Sequence, residues 1–173
     1  MGKKMISRVK LCALRHACVL AACAAITVSC ASAPSSVSPQ QKAEIDSRQR
    51  VYMAHLREEG YAPSIDKDGD IAFKREGYSY FVVIGKSDPA FLYVLLPNIK
   101  SLGSDADRRR AADAVSYANN KTKVAKAYFS GSQNQYVSIG AEIFLENPDH
   151  FAVLFRRLIG TIDRAKINLE SSW

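Results

Sequence analysis

The chain has 173 residues, 47% of them hydrophobic, which is one domain's worth of sequence and enough for a real core. Its net charge of +7 is placed unevenly: Lys3, Lys4, Arg8, Lys10 and Arg15 fall within the first 33 residues beside no acid, and the rest is nearly balanced against 17 acidic groups. A balanced body lacks the basic footprint that phosphate recognition needs, so no nucleic-acid partner is expected. Cys12, Cys18, Cys23 and Cys30 also all lie in the first thirty residues, which excludes a disulfide-held fold; their spacing matches neither paired metal ligation nor a C-x-x-C redox motif.

Residues 1–30 have the layout of a signal peptide: a basic region through Arg15, then the apolar run Ala17 to Val28, then small residues. That run is too short for a membrane-spanning helix, which needs about twenty residues. Export to the cell envelope follows. Three processing sites compete at its end. Ile26-Thr27-Val28-Ser29-Cys30 resembles a bacterial lipobox, with Thr27 in place of the usual Leu. Leu20-Ala21-Ala22-Cys23 matches better by letter but leaves only His16 to Ala22 as an uncharged stretch after Arg15, too short for the apolar region of a signal peptide. Ala31-Ser32-Ala33 has the form cut by ordinary signal peptidase, with Pro34 just beyond it. Lipidation at Cys30 is the reading adopted, with a chain facing the periplasm and touching the membrane through a lipid anchor only. A soluble periplasmic product is the alternative. Residues 31–41, rich in Ser, Pro and Gln, read as a flexible tether.

The domain is expected over 42–173. Helical periodicity runs from about Gln41 to Glu59, with Ile45, Tyr52, Met53 and Leu56 on the apolar stripe, Arg48 among the polar positions, and Gly60 as the stop. Tyr61 to Ile65 forms a short strand closed by Asp66-Lys67-Asp68-Gly69-Asp70. Those aspartates take positions 1, 3 and 5 of a calcium loop, but Ile71 stands where glycine is required and Gly77 where the bidentate Glu is required, so a plain hairpin turn is preferred. Ile71 to Leu96 is a block of β-branched and aromatic residues. Its breaks at Glu76-Gly77 and Gly85 to Pro89 make it an antiparallel meander.

Ser104, three residues before Asp107, opens a helix running to about Asn119 with Ala111, Ala114, Val115 and Ala118 on its stripe. Arg108-Arg109-Arg110 on its first turns is a solvated surface. Thr122 to Phe129 and Tyr136 to Leu145 form a hairpin. Asn147-Pro148 starts the last helix, whose Phe151, Phe155, Leu158, Ile162, Ala165 and Leu169 make the strongest apolar face in the chain. The fold class is therefore α+β: an antiparallel sheet of five to six strands with helices at the N-terminus, middle and C-terminus.

In this order of elements the body resembles a YbjN-type domain, a family labelled as bacterial sensory transduction regulators and related in fold to type III secretion chaperones. The resemblance rests on Gly69-Asp70-Ile71-Ala72-Phe73 with Tyr78-Ser79-Tyr80, on Asp88-Pro89-Ala90-Phe91, on Leu95-Leu96-Pro97-Asn98, on Asn119-Asn120 before Val124 to Tyr128, and on Phe151, Phe155 and Ile159. It covers about residues 42–170 and implies a fold, with no catalytic residues to carry over.

The body holds only His55 and His150 and no cysteine, and none of the common hydrolase, zinc-protease or nucleotide-binding signatures occurs. The expectation is a non-enzymatic, protein-binding or chaperone-like module with no cofactor and no metal. A small-ligand sensor is the alternative and a hydrolase of unknown type the remote one. Phe81 to Ile84 and Phe91 to Leu96 do not alternate polar with apolar, so both faces of those strands require cover. The last two helices supply one cover. The other is either the N-terminal helix or a second polypeptide, a protein partner or a homodimer; the second polypeptide is favoured, with Phe81, Val82 and Tyr93 as the candidate binding face.

Overall fold

The computed structural model of the chain describes residues 37–173, so Cys30, the three processing sites and most of the tether lie outside the described residues. The first helix, α1 (Pro39–Glu58), begins before residue 42. Ser38 caps it: its hydroxyl accepts the Gln41 amide N–H, the Gln41 side chain accepts the Ser38 N–H, and Pro39 occupies the first helical position. The Ser-Pro-Gln-Gln composition read as tether is thus a helix start at its last residues.

Six strands follow in one antiparallel sheet: β1 (Ser64–Ile65), β2 (Ile71–Arg75), β3 (Tyr78–Ile84), β4 (Phe91–Ser101), and, after α2 (Asp105–Lys121), β5 (Lys126–Ser130) and β6 (Tyr136–Phe144). Their spatial order is β1-β2-β3-β4-β6-β5. A 3-10 turn, Pro148–His150, leads into α3 (Phe151–Ser171). The local chemistry explains the punctuation. Asp66 uses one carboxylate oxygen to accept the N–H groups of Asp68 and Asp70, each at 2.9 Å, which folds the acidic segment into the β1–β2 hairpin. Glu76 and Gly77 both take positive φ, +50° and +82°, and close β2 onto β3 with the twist a two-residue hairpin needs. The hydroxyl of Ser104 accepts the Asp107 N–H at the start of α2.

The hairpin after α2 begins later than the sequence suggests. Thr122 donates its N–H to the Ala118 carbonyl and so ends the helix, and β5 starts at Lys126.

All three helices lie on one side of the sheet. Ile71, Tyr80, Val82, Val94, Leu96 and Ile139 point toward them and are buried. Against this face α2 lays Ala111, Ala114 and Ala118, and α3 lays Phe151, Phe155, Leu158, Ile162, Ala165 and Leu169. The N-terminal helix joins the same layer: Tyr52 stacks on Phe151 with ring centroids 4.2 Å apart. It therefore does not cover the opposite face, which answers one of the two possibilities left by the strand pattern.

Arg48 departs from its expected place on the polar stripe of α1, being 5% exposed. Its guanidinium donates to the carbonyl oxygens of Leu145 at 2.6 Å and Glu146 at 2.9 Å, where β6 has ended and the backbone has no strand partner, while Glu44 receives it at 2.9 Å. Burial opposes the charge, but the Tyr52 hydroxyl and the Glu44 carboxylate outweigh that, so the Arg48 pKa is raised.

Candidate functional site: the uncovered face of the sheet

Alternation along the strands decides which residues share the face turned away from the helices. Phe81 pairs with Leu95, Val83 with Tyr93, and Phe91 with Phe144. These six form a contiguous apolar stripe over β3, β4 and β6, and among the described residues no helix covers it. Phe91 and Phe144 meet edge to face at 5.6 Å, and Phe144 is 68% exposed.

Of the three residues expected on a binding face, Phe81 and Tyr93 lie here and Val82 does not. Val82 points to the helix layer and is fully buried. The correction follows from the period of two: neighbours in a strand point to opposite sides, so Phe81 and Val82 cannot serve one surface.

Tyr93 shapes the middle of the face. Its ring lies across Gly140 of β6, where a Cβ would overlap the ring atoms. The Tyr93 and Tyr128 hydroxyls meet at 2.5 Å. Burial, and then the hydrogen bond to Tyr128, push the Tyr93 phenol well above its ordinary pKa. Beside this pair a cavity of about 340 Å³ is lined by Tyr93, Val124, Lys126, Tyr128, Gly140 and Glu142. A second cavity of about 340 Å³ lies toward the other side of the face, with Ala72, Lys74, Ser79 and Phe81 in its lining.

On the helix side the polar groups are absorbed by structure. Arg75 donates to Asp163 at 2.9 Å, and the Tyr80 hydroxyl lies 3.4 Å from the same carboxylate oxygen. Burial, reinforced by the Asp163 charge, pushes the Tyr80 phenol up to about 12. Glu59 is clasped by Arg156 at 2.7 Å, which holds its carboxyl below the ordinary range. His55 packs between the ring edges of Phe151 and Phe155, each 5.7 Å away, and its Nε2 has no hydrogen-bond partner. The Glu58 and Glu59 carboxylates each stand 3.9 Å from a ring nitrogen of His55. Among the described residues no group of three or more His, Cys, Asp or Glu side chains is placed to hold a metal ion, and no helix is long and apolar enough to cross a membrane.

What sequence reasoning missed here is Gly140. The only signal available was a glycine inside an otherwise strand-like run, the usual mark of a close approach by another group.

The domain is a one-sided α+β scaffold whose sheet presents an apolar face without a helix layer. Residues 52–164 match the family model of YbjN, described as "Putative bacterial sensory transduction regulator". The chain belongs to the YbjN family. Its fold is similar to that of the crystal structure of YbjN, "a putative transcription regulator from E. coli", with a TM-score of 0.54 at 12% sequence identity, over 71% of this chain and 90% of that one. A search of curated proteins finds no match. The family's description is a regulator's and names no reaction.

Proposed function

We propose that this protein is a non-enzymatic regulatory module that binds another protein through the uncovered face of its sheet, held in the periplasm by a lipid on Cys30. The observation that carries the reading is the placement of all three helices on one side, which leaves Phe81, Val83, Phe91, Tyr93, Leu95 and Phe144 together on the other. Five of the six are half-buried and Phe144 is exposed, and a contiguous apolar patch without an opposing layer is a feature that interaction sites use. The regulator description of the family supports the same reading, as does the chaperone-like fold that the family resemblance implies.

Purification from membranes in mild detergent tests it. A polypeptide should copurify with the unaltered chain and be lost from Phe81→Asp, whose circular dichroism stays unchanged, whereas Val82→Asp should unfold the domain. Retention of the partner by folded Phe81→Asp rejects the face. Intact mass reports on the anchor separately: a diacylated chain beginning at Cys30 is expected, and a mature chain beginning at Ala31 or later without acyl mass rejects it.

A small-ligand sensor is the second reading, favoured by the cavity between Tyr93, Lys126 and Glu142, whose volume is at the lower end of the range for small-molecule sites. Native mass spectrometry separates the two, since a sensor retains a small molecule and a binder a polypeptide.

A further inference from the structure

Strand alternation gathers the polar side chains of one cavity onto the face without helices. Tyr93 on β4 stands opposite Glu142 on β6, Lys126 on β5 stands opposite Gly140, and Tyr128 follows Lys126 on the same side of β5. Because residue 140 is glycine, the hydroxyl end of the Tyr93 ring takes the space a side chain would fill and meets the Tyr128 hydroxyl at 2.5 Å. Two hydroxyls bring two hydrogens, and only one of them can lie between the oxygens. Each oxygen therefore keeps a lone pair able to accept from a ligand.

Of the two charged residues lining this cavity, one is already engaged. The Lys126 ammonium donates to the carbonyl oxygens of Asn119 and Thr122, at 3.4 Å and 3.1 Å, where α2 ends. Such an end carries a partial negative charge that holds a cation. The Asn119 side chain fixes it against the β5 edge, donating from Nδ2 to the Ala127 carbonyl at 2.9 Å and accepting the Ala127 N–H on Oδ1 at 2.8 Å. Glu142, by contrast, is exposed and takes part in none of the ion pairs among the described residues. Its charge is felt at the phenols: burial, then Tyr128, and then the Glu142 carboxylate push the Tyr93 hydroxyl above its ordinary pKa.

The cavity thus offers a ligand chiefly acceptors, a carboxylate and two phenol oxygens, around one unpaired negative charge. A primary ammonium is the complement, since it brings one positive charge and three N–H donors. Tyrosine rings also attract a cation over their faces. The remaining lining is apolar: Val124, 46% exposed, the stem of Lys126, and Gly140. A volume of about 340 Å³ suits a small molecule.

Resting on the small-ligand reading above, we propose that this cavity binds a small primary amine in its protonated form. The ammonium is directed to Glu142 and the Tyr93–Tyr128 hydroxyl pair, and the apolar body lies against Val124 and the Tyr128 ring.

Isothermal titration calorimetry on the mature full-length protein in mild detergent, against a detergent blank, tests this with four probes. Phenethylamine should bind at least tenfold more tightly than phenethyl alcohol and phenylacetate, which keep the ring and change the charge, and than ethylamine, which keeps the charge and loses the ring. Glu142→Gln is an exposed, nearly isosteric change that should retain the melting temperature and abolish the preference for the amine over the alcohol. Equal binding of the amine, the alcohol and the acid would overturn the amine while leaving a small-ligand cavity standing. Phenethylamine binding indifferent to Glu142→Gln would place the site elsewhere and overturn the proposal. No binding of any probe would overturn both the amine and the small-ligand reading of this cavity.

Discussion

The hydroxyl end of the Tyr93 ring occupies the space where a side chain at Gly140 would stand, two residues on adjacent strands whose fit shapes the uncovered face. The absence of a side chain at 140 lets the ring reach the Tyr128 hydroxyl on β5. Gly140→Ala should displace the ring, break the hydroxyl pair and cost about 1–3 kcal/mol, the usual range for overpacking. Thermal melting gives the loss. Tyr93→Phe separates the two causes, because it removes only the hydrogen bond and should cost about 1 kcal/mol.

Arg48 ties α1 to the end of β6 through two backbone carbonyls, and its removal leaves both oxygens without that donor. Arg48→Met should destabilise the domain by about 2–4 kcal/mol, since hydrogen bonds to a charged group are the stronger kind and buried acceptors lose theirs. Arg48→Lys should rescue only part of this, because one ammonium cannot reproduce the forked geometry. Denaturant midpoints at constant slope check both.

Asn119→Ala should unblock the β5 edge at Ala127. The expected cost in stability is about 1–2 kcal/mol for two side-chain hydrogen bonds. A second effect distinguishes this position from an ordinary surface contact: the freed edge should raise self-association, measured by light scattering against concentration.

Asp70 carries a pH dependence. Burial, and then the neighbouring Asp66 charge, raise its pKa in the folded state above the unfolded value. The folded protein therefore binds this proton more readily, so the charged carboxylate destabilises the fold above the folded pKa, and that cost disappears as pH falls toward the unfolded pKa. Asp70→Asn should melt higher than the parent at pH 7, with the difference shrinking steadily through the acidic range. An unchanged difference at pH 3 would contradict it.

Tyr80 gives the alkaline counterpart. Its phenol is held at about 12 in the fold, above the ordinary value near 10. Stability should fall as pH rises past about 10, where the unfolded chain ionises and the folded one does not. Tyr80→Phe should remove that part of the loss, read from melting temperatures between pH 8 and 11.

Most of the architecture was written in the local order of residues. The apolar stripe of α3, the cap at Ser104, the glycine turns of the meander and the family resemblance are all short-range signals, and each acts within a few positions along the chain. The errors were also local. Ser38 looked like tether because capping chemistry and linker composition use the same residue types, and Thr122 looked like strand because a β-branched residue can also end a helix.

What the order of residues could not contain was the side on which each element packs. The unbroken apolar runs of β3 and β4 showed that both faces of those strands are hydrophobic, but whether α1 would cover the second face depended on where a helix lands after the chain turns. Tyr52 stacking on Phe151 decides that, and so does the long reach of Arg48 to the end of β6, which made a residue of the polar stripe into part of the interior. Val82 shows the same division: its character was legible and its direction was not, because direction depends on which face the helices cover. The tertiary structure alone leaves Phe81, Tyr93 and Leu95 half-buried on the face without helices, since burial is a property of what comes to lie opposite a side chain and not of the side chain itself.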